Sequence, residues 1–237
     1  MAKTTLYQEG SMQMLQEKLL EGTITVKELM EHGNYGIGTG QGINGELIIL
    51  DGTAYHIPSQ SKPTIADPEM TVPFANVHQG DFHFFGTYQD INVSELLRDV
   101  KQKIRGGNYF FSVLIKGHFK DVKTRSADGA KKPYPSLSKI AEGQHEFEKE
   151  DVDGQFIAYH APKVFQGVTV AGFHGHFIDD AHDMGGHALS ANIDKANVYV
   201  QKIDYFEEHL PLDNDDFVKA NLEKLDDLNS AIEKAEG

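Results

Sequence analysis

Apolar residues near the start of the chain recur at helical spacing. This spacing places their side chains on one face of a helix that Gly22 would end. Thr25 with Glu28 three residues later is a capping-box pattern, which predicts a second short helix with Gly33 as its stop. We therefore predict that the first 33 residues are helical. The apolar residues of the first pattern are Met12, Leu15, Leu19 and Leu20.

A β-hairpin and a third helix are predicted next. The β-rich runs Glu46–Leu50 and Thr53–Ile57 flank an Asp-Gly pair, which suits a two-residue turn with positive φ. A helix is predicted over 93–105, where apolar residues again recur at helical spacing. Asn92 is placed to cap this helix, with Glu95 three residues later.

The rest of the chain is predicted to be mostly β-strand. The polar residues 194–197 are predicted to connect a hairpin, and the segment from Asp213 has the periodicity of a helix. The predicted strands span 109–115, 118–124, 155–160, 167–178, 187–193 and 197–203.

These elements indicate an α+β (mixed α/β) fold with mixed or antiparallel sheets and flanking helices. A polar stretch with prolines, followed by the charged segment 142–153, suggests a boundary near residue 140. We predict an N-terminal mixed β-sheet domain over 1–140. An antiparallel β domain with a helical tail is predicted over 141–237.

Composition and charge narrow the possible partners. The chain has 237 residues and a formal net charge of −14, which argues against nucleic acid or an anionic membrane, because both need a basic surface. No apolar run approaches about 18 residues, and no secretory signal opens the chain, so we expect a cytoplasmic protein with no membrane partner. The chain has no Cys, so any metal must be held by His or carboxylates.

One group of histidines has the spacing of a metal site. His174 and His176 stand two positions apart on a predicted strand, so both imidazoles point to the same face, and Phe173 and Phe177 point to the other. His187 follows a reversal and faces the pair from the next strand. Three imidazoles leave a coordination position open, as in catalytic zinc sites.

Other interpretations remain open. The histidines could be unrelated residues on a polar sheet face, and His182 could be a fourth ligand, although a turn position favours exposure. His78 and His83 form a rival pair without a third partner, and the glycine-rich segment 36–42 resembles a phosphate loop in composition alone. Spacing alone places neither Glu46 nor Arg125 beside the histidines.

Four segments follow one another along nearly the whole chain: 36–39, 45–52, 122–126 with 132–135, and 172–177 with 185–187. Together, in this order, they resemble the alpha-acetolactate decarboxylase family. The resemblance implies a metal, most often Zn2+, held by His174, His176 and His187. It also implies a two-domain protein with the site between the domains or at their edge.

The resemblance also implies catalytic roles near the metal for Thr39, Glu46, Arg125 and a glutamate of the C-terminal tail. Glu236 fits that last role best by position, and Glu233 is the alternative. One departure is Gly175, where the family has an aliphatic residue, so we expect a wider space beside the metal. A homodimer is also expected, because the family is commonly dimeric.

The implied reaction is decarboxylation of the small molecule 2-acetolactate to acetoin and CO2. The metal would chelate an enediolate that is then protonated on one face, with one carboxylate protonating carbon and another handling the hydroxyl proton. Arg125 would orient the substrate, since a guanidinium is a poor proton donor at neutral pH. The alternatives are a metal-binding module without turnover, and a different three-His oxygenase or hydrolase of a hydroxy-keto acid.

Overall fold

The computed structural model describes residues 3–222, in which β-strands predominate. The helices are α1 (Met12–Gln16), α2 (Val26–Leu29), α3 (Val93–Ile104), α4 (Leu137–Ala141) and α5 (Asp215–Lys219), with 3-10 turns at Met30–His32 and Lys163–Phe165. The first eight strands are β1 (Thr5–Glu9), β2 (Ile24–Thr25), β3 (Tyr35–Thr39), β4 (Glu46–Leu50), β5 (Thr53–Ile57), β6 (Thr64–Ile65), β7 (Thr71–Val72) and β8 (Phe74–His78). The other six are β9 (His83–Asn92), β10 (Phe111–Ser126), β11 (His145–Ala161), β12 (Gly172–Asp179), β13 (Gly185–Lys202) and β14 (Tyr205–His209).

The strands form two main sheets. The first has the order β14-β1-β8-β3-β4-β5-β6 and is antiparallel except for the parallel pair β1 and β14. The second has the order β10-β11-β12-β13-β9, and β10 also pairs with β13. The strands β10, β11, β12 and β13 therefore form a closed ring in which each has two paired neighbours. The short strands β2 and β7 pair separately.

The two sheets pack against each other. Every residue of β4 after Glu46 is apolar, because the first sheet is covered on both faces. Ile48 and Leu50 face the second sheet, where Ile157 and Ile178 meet them, while Leu47 and Ile49 pack on the outer face with α2. Helix α3 covers a further core inside the second sheet. Side chains of β4 at a spacing of two residues from Ile48 and Leu50 therefore also point into the layer between the sheets.

Several predicted local elements are confirmed. Thr25 and Glu28 make both hydrogen bonds of the capping box on α2. The hairpin of β4 and β5 is in the predicted register, and its turn residue Asp51 has a φ of 48°. The N-cap of α3 is Asn92, whose side chain accepts a hydrogen bond from the backbone N–H of Ser94.

The prediction that the first 33 residues are helical is wrong in part. Residues Thr5–Glu9 form β1, which lies between β14 and β8 in the first sheet, and α1 is only the five residues Met12–Gln16. Leu20 is buried without being helical, so its apolar spacing reflects tertiary packing. Strands β8 and β9 were not predicted. Strand β9 is a largely exposed edge strand with a weak apolar pattern, whereas β8 is fully buried.

Strand breaks were also predicted where none exist. Strand β10 runs through both of its predicted strands, and β13 runs through the predicted hairpin connection at 194–197. Asp194 has no partner opposite β10, because Phe119 pairs with Ile193 and His118 with Lys195. The polar residues there mark a β-bulge, which local sequence does not distinguish from a turn.

The mixed helix-and-strand class is confirmed, with mixed and antiparallel sheets. The division into domains at residue 140 stays a prediction. The charged segment 142–153 lies largely in β11, whose outer face is exposed. The second sheet takes β9 and β10 from before residue 140, and the first takes β14 from after it. Within residues 3–222, no helix has the length and apolar character needed to cross a membrane.

A buried polar network joins the sheets at His78. Its Nδ1 lies 2.8 Å from the hydroxyl of Tyr159, which donates to the carbonyl of Tyr35, and Ser112 Oγ lies 3.2 Å from its Nε2. Burial lowers the pKa of His78 to about 4, because a charged imidazole would lose its hydration there.

We expect the free energy of unfolding to fall as the pH drops from 6.5 to 4. In this range His78 is protonated in the unfolded chain but not in the folded chain. The free energy of unfolding therefore falls by about 3 kcal/mol from its value at neutral pH. Urea denaturation of wild type and His78→Gln at several pH values measures this component as the difference between the two curves. Parallel curves would contradict it.

Candidate active site

Strand β12 places two histidines on the face that points to the first sheet. His174 and His176 alternate with Phe173 and Phe177, which pack in the core of the second sheet. Ile178, two residues after His176, lies in the layer between the sheets. The two imidazoles therefore share one face, as the period of two predicts.

The third histidine meets them from the neighbouring strand. His187 is paired with His176 across the ladder of β12 and β13. His174 Nε2 lies 3.2 Å from His187 Nδ1, and one nitrogen from each of the three rings lies within 4.8 Å of the others. Nitrogens bonded to one tetrahedral zinc at about 2.0–2.1 Å are a similar distance apart, so the three rings have the arrangement of a metal-ligand set.

His176 has the protonation that a metal ligand needs. Its Nδ1 lies 3.1 Å from the carbonyl oxygen of Leu47, so Nδ1 carries the proton and Nε2 keeps its lone pair. The buried Nε2 makes no hydrogen bond. Burial, and then the nearby His174, hold the pKa of His176 well below its usual value. A neutral ring with an unused buried nitrogen fits a divalent cation.

The first sheet contributes an acid and a hydroxyl. Glu46 shares the face of Ile48 that points between the sheets, and its Oε2 lies 3.4 Å from His176 Nε2. Thr39 is paired with Glu46 on the neighbouring strand β3, and its hydroxyl donates to the carbonyl of Gly45 at 2.7 Å. The local hairpin therefore brings both predicted residues to the histidines.

Arg125 enters the site near the end of β10. It is paired with His187 on β13, and only 9% of the residue is exposed. Gly186 lets the two strands approach closely here, since its φ is 134° and a Cβ would lie 2.5 Å from the carbonyl oxygen of Arg125. The guanidinium thus brings a permanent positive charge to the pocket.

These residues meet in one pocket. Five predicted residues line it: Thr39, Glu46, Arg125, His174 and His187. His176 lies buried behind them. Glu236 and its alternative Glu233 lie outside the described residues, so their predicted place beside the metal stays a prediction.

The sequence did not reveal the other wall of this pocket. It is apolar apart from one amide, Gln144, which follows α4. Met12 and Leu15 were assigned to a helix face, which predicts burial but not a place at a site. The apolar residues of this wall are Met12, Leu15, Ile43, Phe74, Leu137, Ile140 and Ala141.

The competing candidates lie elsewhere. His182 is exposed and packs against the ring of Tyr55, and His78 belongs to the buried network, while His83 is exposed on β9. The phosphate-loop alternative gains no support, because the backbone N–H groups of Gln41 and Gly42 already donate to carbonyls.

Comparisons with known proteins show the family to which this chain belongs. The sequence profile of the alpha-acetolactate decarboxylases matches residues 6–224. The chain belongs to the alpha-acetolactate decarboxylase family. An alpha-acetolactate decarboxylase of Streptococcus thermophilus is 34% identical over 236 residues and covers 98% of each chain. One from Methanosarcina mazei is 32% identical and covers 99% of this chain and 81% of its own.

Solved structures related to the alpha-acetolactate decarboxylases share the fold. The Bacillus subtilis strain 168 enzyme has a TM-score of 0.92 at 28% identity, with 98% of this chain and 99% of that chain covered. A Staphylococcus aureus protein described as similar to alpha-acetolactate decarboxylase has a TM-score of 0.94 at 36% identity. It covers 98% of this chain and 100% of its own.

The expectation drawn from Gly175, the departure from the family pattern, is wrong. Gly175 alternates with the two ligand candidates, so it faces away from them. A Cβ at this position would lie 2.7 Å from Cζ and 2.8 Å from Cε1 of Phe156. The glycine therefore makes room for a core ring and does not widen the space between the histidines.

We expect Gly175→Ala to lower the free energy of unfolding by about 1–3 kcal/mol, because the added methyl overpacks the core against Phe156. The metal content should stay that of wild type. A double-mutant cycle with Phe156→Leu, followed by urea denaturation, should show favourable coupling, since the smaller side chain relieves the overlap. Additive effects would contradict this account.

Proposed function

We propose that the protein decarboxylates 2-acetolactate to acetoin and CO2. The observation that carries the proposal is the meeting of three histidines, Glu46 and Arg125 at one pocket, in a chain whose family match spans residues 6–224. The names of its relatives supply the substrate, and the pocket supplies groups suited to the reaction.

The proposed metal ligands are His174, His176 and His187, with Zn2+ as the proposed ion. When bound there, a divalent metal supplies Lewis-acid stabilisation of the negative charge that grows on substrate oxygens. The support for this assignment is the neutral His176 ring, whose Nε2 makes no hydrogen bond.

The chain's own residues would position the substrate and move protons. Loss of CO2 leaves an electron pair on the hydroxyl-bearing carbon, which the neighbouring ketone accepts to give an enediolate. Arg125 orients the substrate oxygens with its fixed charge, without a tight clamp on the leaving carboxylate, since such a clamp would stabilise the ground state. The apolar wall opposite excludes water, which strengthens these electrostatic contacts.

Protonation of the enediolate completes the reaction. Glu46 is the carboxyl group that we propose for one proton transfer, because it borders the pocket within 3.4 Å of His176. Glu236 of the tail is proposed for the other. If the proton reaches the enediolate carbon from one side only, the product is a single acetoin enantiomer. We also propose that the protein works as a cytoplasmic homodimer.

The deciding experiment supplies purified protein with acetolactate, with and without a chelator, and follows acetoin by chiral chromatography. We expect one enantiomer, loss of activity with chelator, and recovery when Zn2+ is restored. Metal uptake without CO2 release would show a binding module instead. Oxygen consumption by an iron-loaded protein would indicate an oxygenase.

A further inference from the structure

The ring of strands in the second sheet closes through one short ladder. Strand β12 pairs with β11 over eight residues, from Asp179 opposite Gly154 to Gly172 opposite Ala161. It pairs with β13 over three residues only, and one of these three pairs is His176 with His187. The face of His187 is also set by the long ladder of β13 with β10, where Arg125 lies opposite it. The three pairs with β12 decide how His176 is aligned with His187, and so short a ladder specifies that alignment weakly.

A fully buried carboxylate sits at the end of this ladder. Oδ1 of Asp179 accepts hydrogen bonds from the backbone N–H groups of Asp183 at 2.7 Å and Met184 at 3.1 Å. The backbone N–H of Asp179 donates to the carbonyl of Met184 at 3.0 Å, and its carbonyl accepts from the N–H of His182. One residue thus fixes the whole turn that leads into His187.

The charge of this carboxylate is balanced from the adjoining strand. The other oxygen, Oδ2, is paired with the ammonium group of Lys149 on β11, and the Asp179 side chain has no exposed surface. Burying a carboxylate costs free energy unless it is paired and hydrogen-bonded. Loss of any one of these contacts should therefore destabilise the fold more than loss of an exposed contact. Asp179 therefore connects β11, β12 and the start of β13.

We propose that Asp179, held by Lys149, is a positioning residue that fixes the register of His187 against His176 and thereby sets the metal affinity of the site. It touches neither the proposed metal nor the substrate. The inference rests on the metal site proposed above. It adds a requirement outside the ligand set, since residues that orient metal ligands typically contribute about 10–100-fold in affinity.

The test measures metal affinity directly, by competition with a chromogenic chelator on folded, metal-stripped protein. Asp179→Ala removes both hydrogen-bond acceptors and the charge, and we expect Zn2+ to bind about 10–100-fold more weakly. Asp179→Asn keeps an oxygen for the N–H groups of Asp183 and Met184, so we expect it to recover part of this loss. Lys149→Met should weaken Zn2+ binding to about the same extent as Asp179→Asn.

Absorption spectra of the Co2+-loaded proteins give a second measurement, because they report the ligand geometry. We expect an altered spectrum for Asp179→Ala and a spectrum near wild type for Asp179→Asn. If Asp179→Ala does not fold, Asp179→Asn and Lys149→Met carry the test. Wild-type affinity and spectrum in the folded variants would overturn the proposal.

Glu9→Gln is the matched control. Glu9 is as fully buried as Asp179, and it is hydrogen-bonded to Tyr7, Thr23 and His209. It lies on β1 of the first sheet and takes no part in the ladder of β12 and β13. We expect it to lower stability and leave metal affinity at the wild-type value. Equal losses of affinity in Glu9→Gln and Asp179→Ala would overturn the inference, since general destabilisation would then explain both. Wild-type protein that binds no metal would refute the proposed site itself.

Discussion

Replacing His174 or His187 with alanine should abolish stoichiometric metal binding and reduce decarboxylation to the uncatalysed background. Three imidazoles supply every protein ligand that we propose, so each variant keeps only two, too few to hold zinc against a weak chelator. Both variants should stay folded. His174 and His187 lie at the pocket surface with 9% and 7% of the residue exposed, not in the apolar core.

The measurements are bound zinc per protein chain, acetoin formation, and the far-UV circular dichroism of each variant. His83→Ala is the matched control, because His83 is exposed on β9 and no part of the cluster, and it should keep both metal and activity. Full decarboxylase activity in metal-free His174→Ala would remove the metal from the mechanism.

The sequence predicted this cluster because the signal is local. A period of two on one strand fixes the faces of His174 and His176, and the glycine-rich reversal brings His187 opposite them. Glu46 and Thr39 are neighbours for a similar reason, since they are paired on adjacent strands. The sequence pattern could not show that the histidines face Glu46 and Thr39, because that depends on how the two sheets pack.

The parts that were missed depend on contacts between distant segments. Met12 and Leu15 line the pocket with residues of α4 that lie more than 120 positions later, and no periodicity records such a meeting. Gly175 was interpreted from its neighbours in sequence, whereas its partner is Phe156 on the adjacent strand. Strand β1 was mistaken for helix because its sheet partners, β8 and β14, lie far along the chain.

The second large effect is expected at Glu46. Glu46→Gln keeps the size and hydrogen-bonding capacity of the side chain but removes its ability to exchange a proton. We expect kcat to fall by at least about 100-fold, the usual scale for a general acid or base, with zinc content unchanged. Steady-state acetoin formation and metal analysis on the same preparation measure both quantities.

Two controls separate this role from other roles of the same carboxylate. Glu69→Gln changes an exposed acid and should leave kcat at the wild-type value. Because Glu46 Oε2 lies 3.4 Å from His176 Nε2, Glu46 is also close enough to be a fourth ligand. In that case Glu46→Gln would lose zinc together with turnover, and added zinc would restore both. A loss of turnover that excess zinc does not reverse assigns the proton transfer to Glu46, whereas an unchanged kcat would leave the acid–base role to the tail glutamate.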